Sequence, residues 1–304
     1  MTADAVRGRR GPAAGLDYAL YAAMTSIWGA SFFFTAIALR SVNPFMVVLV
    51  RMGLGAVALG VFVRVRGVPL PRDRRAAGHL LVLGAFNIAL PFTLITLAQV
   101  HVASSVAVVL SATTPVFVFL IASLVTRAER FSAQRLAGIV VAFAGMAVLS
   151  GAHGGGDGWG WPLVVVLSSA IFACGNVYTR RHLPHLDPAV IACGQVAAGA
   201  LYLLPVTALT GNLTMASPGP LPALALLELG LLGSGAAYLL YFRFILRWGS
   251  TAASLNTYLQ PVVGLLLSVL VLDEAVSARQ WSALGVILLG IAVFGLSRGP
   301  APRR

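Results

Sequence analysis

The chain has 304 residues, 59% of them hydrophobic and only 10% charged, and its mean hydropathy is +0.90. A soluble domain carries roughly 25% charged residues, so this chain cannot cover itself with polar surface and lipid is its expected solvent. The net charge of +12 comes from arginine, without any lysine. These arginines sit in short gaps between apolar runs with no zinc-ligand spacing, recognition helix or RNA-binding motif, which argues against a nucleic-acid partner.

Taken in chain order, apolar runs predict helices over 18–39, 46–63, 78–98, 102–125 and 133–150. A glycine-rich break, GAHGGGDGWG, follows. Further helices are predicted over 162–178, 189–209, 221–246, 252–272 and 277–296. Most approach the ~20 apolar residues a membrane crossing needs. The runs are continuous and lack the two-residue alternation of a membrane barrel, and lipid demands backbone pairing within each segment. The first run is too long for a signal-peptide core and lacks a cleavage site, so no cleavable leader is expected. Cys174 and Cys193 lie inside apolar runs and read as small packing residues.

The arginines set the orientation. With the N-terminus in the cytoplasm and ten spans, all but Arg40, Arg51 and Arg279 of the 21 arginines fall on the cytoplasmic side. Removing one span would reverse every later segment and destroy this segregation. The expectation is a multi-pass, all-α protein of the inner (plasma) membrane with both termini cytoplasmic. Its parts are a tail at 1–17, a five-helix repeat at 18–151, a periplasmic linker at 152–160, a second five-helix repeat at 161–297 and a tail at 298–304.

The halves resemble each other. SVAVVLSATTP at 105–115 aligns with TAASLNTYLQP at 251–261, which pairs Pro115 with Pro261. Glu129 and Glu274, then Gly145 and Gly290, continue the match, and WGASF from Trp28 corresponds to CGNVY from Cys174. Arg51 corresponds to Gln195. Five spans per half is odd, so the repeats should be inverted. Inverted repeats mark alternating-access transporters, whose substrate site lies near the midplane between the repeats.

These residues resemble the drug/metabolite transporter superfamily, specifically its EamA-type ten-helix exporters. The resemblance rests on WGASF at 28–32, PFMVVLVRM at 44–52, SSVAVVLSATTPVF at 104–117, Glu129 with Gly138 and Gly145, GSGAAYLLYF at 233–242, and the run from Ala252 through Pro261 to Glu274. It implies a helical bundle around a central cavity and export of amino acids or related small metabolites across the inner membrane. Gln260 stands where many such proteins carry an acid before the proline, and Gly285 is displaced relative to Gly138.

Candidate substrate-binding residues are Trp28, Asn87, Ser111, Thr114, Asn176, Tyr238, Asn256, Tyr258 and Gln260, all polar or amphipathic within apolar stretches. Each could instead be interhelical glue, worth about 0.6 kcal/mol on average. Trp28 could contact substrate or anchor helix packing, and a mid-span indole needs a partner for its N–H. Arg51 and Glu228 are coupling or structural charges, and a charge at such depth costs at least ~2.5–3.5 kcal/mol unless it faces protein or water. Arg51 could hold a substrate carboxylate or brace helix ends. Glu228 could carry a coupling proton, snorkel, or pair with Arg51. Pro115 and Pro261 are candidate hinges, because each removes a backbone hydrogen bond and frees a carbonyl near 111 or 257.

No cofactor or metal is expected: the histidines show no ligand spacing, and the GGG stretch lacks a Walker lysine. A membrane-embedded enzyme would need a nucleophile–base set or a His/acid cluster in the spans. The spans offer one glutamate, with His79 at an edge, so the enzyme reading is disfavoured. The tails are too short for a sensor's output domain. The reading is a secondary transporter that exports small metabolites, most of all amino acids, by alternating access. Its expected partners are a small-molecule substrate and membrane lipid, with a monomer as the expected state. The nearest rival, a multidrug or cationic-compound exporter, would want an acidic, aromatic cavity.

Overall fold

In the computed structural model, which describes residues 12–71, 73–127, 131–150, 160–210, 213, 218–272 and 278–296, the regular structure of the described residues is helical throughout. Glu129, Glu274, the 298–304 tail and nearly all of the 152–160 linker lie outside the described residues. The first half comprises α1 (Pro12–Ala38), α2 (Pro44–Val65), α3 (Arg74–Ala98), α4 (Ser104–Ser111, then Thr114–Leu120 and Ile121–Val125) and α5 (Ala133–Ser150). The second comprises α6 (Gly160–His182), α7 (Pro188–Leu209), α8 (Pro220–Trp248), α9 (Ser250–Ser254, then Asn256–Leu272) and α10 (Ala278–Leu296).

Among the described residues, seven helices are long and apolar enough to cross a membrane: α1 from Gly15, α2, α3, α4 from Val106, α6, α7 and α8. The apolar stretches in α5 and α10, Ala133–Gly145 and Trp281–Phe294, are shorter. Val57 and Val61 on α2, Leu163 and Leu167 on α6, and Leu201 and Leu204 on α7 are exposed. Aliphatic faces of that extent suit lipid contact and would be an aggregation liability in water.

Local chemistry sets the helix ends. Asn43 accepts from the Phe45 N–H at 3.0 Å and Asp187 from the Ala189 N–H at 2.7 Å, each just before a proline at the first helical position. Asp73 caps α3 through the Arg75 N–H at 3.0 Å. Gly249, at φ 99°, separates α8 from α9 in a conformation closed to side chains with a Cβ. Several helices extend beyond their apolar runs. α1 starts at Pro12 rather than 18, α6 continues to His182 rather than 178, and α8 to Trp248 rather than 246. Hydropathy marks where lipid contact ends, whereas a helix continues as long as its backbone bonds do. The extensions put Asp17, Arg180 and Arg247 on regular helix, where they acquire partners.

Two close crossings knit the bundle. A Cβ on Gly84 of α3 would lie 2.5 Å from the Cβ of Ala198 and 2.9 Å from the Gly199 backbone N on α7. A Cβ on Gly55 of α2 would lie 2.7 Å from the Cβ of Ser234 and 3.2 Å from the Gly230 carbonyl on α8. Small residues let backbones approach in this way, and the resulting van der Waals contact drives helix association in lipid. Both α3 and α8 widen to π-helical turns at these crossings, over Gly84–Ala89 and Glu228–Ala236. Separately, α5 packs on α10, where a Cβ on Gly138 would lie 2.6 Å from the Phe294 N.

Candidate functional site

A cavity of about 90 Å³ opens inside the bundle. Its walls are Trp28, Ser31, Phe32 and Thr35 of α1, Arg51 of α2, and Pro91, Phe92, Ile95, Thr96 and Gln99 at the end of α3. Ser111 and Thr114 of α4, Ser168, Ser169 and Phe172 of α6, and Thr257 and Gln260 of α9 complete it. It therefore occupies the half of the bundle that faces the turns at 39–43 and 99–103, here called the open end.

Most hydroxyls on this lining donate to backbone carbonyls, chiefly of the helices that carry them. Ser31 donates to Ile27 O at 2.9 Å, Thr35 to Ser31 O at 2.7 Å, Ser111 to Ala107 O at 2.8 Å and Thr257 to Ser254 O at 2.9 Å. Ser168 donates to Pro91 O across the α3–α6 contact at 2.8 Å. A hydroxyl that donates to a carbonyl has only oxygen lone pairs left to offer. The cavity thus presents acceptors from most of its serines and threonines, with amides at Gln99 and Gln260 and a cation at Arg51.

Pro115 heads the second part of α4, two residues past the break at Ala112 and Thr113. It cannot donate to Ser111 O, which instead accepts from the Thr114 hydroxyl at 2.7 Å and from Ser169 at 3.4 Å. Pro261 lies inside the second part of α9. Trp28 sits at the cavity floor and donates its indole N–H to Gly233 O at 2.8 Å, within the π-helical turn of α8 that leaves carbonyls short of ordinary partners.

Below Trp28 the bundle is sealed. Tyr238 and Tyr241 pack on the indole with ring centroids at 5.2 and 4.7 Å. Asn176 donates to the Tyr241 hydroxyl at 2.7 Å, Asn87 to Gln195 at 3.1 Å, and Tyr238 to Asn87 O at 3.3 Å. All of these side chains except Trp28 are fully buried. Further towards the turns at 66–73 and 183–187, Asp17 bridges Arg243 at 3.1 Å and Arg247 at 2.6 Å. Arg180 donates to both Ile245 O and Leu246 O at 2.7 Å, and the Tyr21 hydroxyl donates to Ala252 O at 3.2 Å. This is the closed end.

Of the residues singled out from sequence, Trp28, Ser111, Thr114 and Gln260 line the cavity, as does Arg51. Asn87, Asn176 and Tyr238 do not; they form the seal beneath it. Asn256 and Tyr258 are buried away from it, with both Asn256 amide atoms and the Tyr258 hydroxyl lacking a hydrogen-bond partner. Glu228 is half-buried, off the cavity, and forms no ion pair with Arg51. Sequence reasoning missed Ser31, Thr35, Thr96, Gln99, Ser168, Ser169 and Thr257. Ser31 and Thr35 continue the helical face of Trp28 at three- and four-residue steps, a signal that was legible. Cys174 is exposed, Cys193 is half-buried, and both are free thiols.

The model of the EamA-like transporter family matches this chain twice, over residues 16–151 and 159–296. The chain belongs to that family. An "Uncharacterized inner membrane transporter YedA" of Escherichia coli (strain K12) is 29% identical, over 94% of this chain and 92% of its own. A "Probable terminal-alkyne amino-acid exporter" of Streptantibioticus cattleyicolor is 28% identical over 82% and 85%. A "Probable amino-acid metabolite efflux pump" of Escherichia coli (strain K12) is 26% identical over 89% and 92%. A protein solved by crystallography superposes with a TM-score of 0.74 at 21% identity, covering 92% of this chain and 96% of its own, a likeness of fold alone. A transmembrane transporter of this family needs a solute site and a way to close one side, and the cavity and its seal are candidates for both.

Proposed function

We propose that the protein exports small polar metabolites, amino acids above all, from the cytoplasm by alternating access, through ten spans arranged as two inverted five-helix repeats. The observation that carries this reading is a small cavity towards one end of the bundle, above a sealed opposite end, whose aromatic and apolar wall carries hydroxyls, two amides and the single cation Arg51. The relatives named as amino-acid exporters support the substrate class. The repeat is supported by the two family matches and by the crossings. Gly55 of α2 meets α8 as Gly199 of α7 meets α3, and the π-helical turns fall in α3 and α8 alike. The rival cation-exporter reading finds its aromatic wall in Trp28, Phe32, Phe92 and Phe172, but among the described residues no carboxylate lines the cavity.

In proteoliposomes loaded with labelled amino acids, the protein should drive efflux and counterflow of small members of the panel. Overexpression should raise tolerance to toxic amino-acid analogues. Gains confined to cationic dyes would favour the rival. Orientation is tested in a cysteine-free background: Ser41→Cys should react with an impermeant thiol reagent added outside cells, and His185→Cys only after permeabilisation. The reverse labelling would overturn the proposed topology.

A further inference from the structure

The cavity holds one charged side chain, Arg51, and among the described residues no carboxylate lies within ion-pair distance of it, Glu228 acting on it only from further off. The guanidinium is held in place all the same. Its Nε donates to the Ser234 hydroxyl at 3.0 Å, and its carbon lies 4.5 Å from the centroid of the Phe92 ring. These contacts use one donor and one face, and leave the terminal Nη groups for another partner. Gly233 keeps the approach clear. A Cβ there would lie 3.4 Å from Arg51 Nη2 and 2.9 Å from Ser31 Oγ. Trp28 holds that glycine in register through its carbonyl at 2.8 Å.

We propose that Arg51 is the carboxylate anchor of this cavity, and that the transported solute is a small molecule bearing one free carboxylate and a donor-rich remainder. The assignment rests on the transporter reading above. A guanidinium fork matches a carboxylate in bidentate geometry, and a desolvated cation whose terminal nitrogens have no hydrogen-bond partner among the described residues of the protein is matched by an anionic ligand. The remaining lining selects the rest of the solute. The hydroxyls of Ser111 and Thr257 are spent as donors, so α4 and α9 offer acceptors suited to an ammonium or hydroxyl. Arg51 stands on the wall where α2 packs on α3, α7 and α8, and these acceptors stand where α4 packs on α6 and α9. The two polarities therefore face the solute from different sides. The cavity is small, about 90 Å³, so valine and threonine are the first probes of it. The equivalent position in the second half is neutral: Gln195 is buried against Asn87. One carboxylate site is present, not two.

The test is counterflow of labelled L-valine and L-threonine in proteoliposomes, competed by each unlabelled acid and by its amide. Wild-type protein should prefer acid over amide by about tenfold to a hundredfold, the usual worth of hydrogen bonds to a charged group. Arg51→Gln, checked for monodispersity and thermal midpoint, should lose that preference. Arg51→Lys should keep the preference at weaker affinity, because its single point charge cannot make the fork. Amide competing as well as acid against wild type would overturn the assignment, and so would a folded Arg51→Gln that retains the preference. If Arg51→Gln fails to fold, the wild-type comparison and the lysine variant decide. Absence of flux for every small amino acid would instead overturn the transporter reading, and this one with it.

Discussion

Gly84→Ala should destabilise the protein, whereas Gly53→Ala should leave it unchanged or slightly more stable. By helix propensity alone both gain, since alanine is better than glycine in a helix by about 0.8–1.0 kcal/mol. The surroundings reverse the sign at one of them. A Cβ on Gly53 meets nothing within 4 Å, while one on Gly84 would lie 2.5 Å from the Cβ of Ala198 and 3.0 Å from its carbonyl carbon. Those atoms belong to the α7 backbone or hang directly from it, so α3 and α7 would have to separate. Overpacking of this kind costs about 1–3 kcal/mol, and a larger residue such as Gly84→Leu should exceed that and prevent stable assembly. Thermal unfolding in detergent, with size-exclusion profiles, reads the difference. Equal midpoints for Gly84→Ala and Gly53→Ala would show that the α3–α7 contact has room to yield.

Asp17→Asn should open the closed end. The carboxylate ties the start of α1 to the last turns of α8 through Arg243 and Arg247, and its own side chain is 6% exposed. The arginines are nearly half exposed, so solvent screens each pair, and together they contribute about 1–2 kcal/mol. A change of that size alters the ratio of two states by roughly 5–30-fold. Thr25 is a suitable reporter, buried on α1 between this ion-pair cluster and the cavity floor. In a cysteine-free background, Thr25→Cys should react with a thiol reagent from the closed side about 5–30-fold faster once Asp17 is neutralised. Arg247→Gln should reproduce part of the effect, and the double variant should add little to Asp17→Asn, since both act through one contact. An unchanged labelling rate would mean that the packed aromatics, Tyr21 against Phe244 at 5.2 Å and Phe244 against Trp248 at 4.4 Å, hold that end closed without the ion pairs.

Membrane embedding, helical class and family were legible in the residues, for a physical reason. Lipid imposes its requirement one segment at a time, so a run of apolar residues long enough to cross is itself the evidence. A likeness between the halves could be proposed the same way, by aligning Pro115 with Pro261 and Arg51 with Gln195 without knowing where they meet, and the family matches each half. Which polar residue faces the cavity was not. Asn87, Asn176 and Tyr238 look the same in sequence as Ser111 and Gln260, since each is a polar group in an apolar helix. Only the rotation of α3, α6 and α8 about their axes, set by close contacts such as Gly84 on Ala198, turns the first group into a seal and the second into a lining. The same holds for charge. Sequence placed Arg51 and Glu228 at depth and allowed them to pair. In the tertiary structure they form no direct ion pair: Arg51 Nε reaches Ser234 and its face rests on Phe92, which holds the cation at the cavity wall, while Glu228 stands outside the lining.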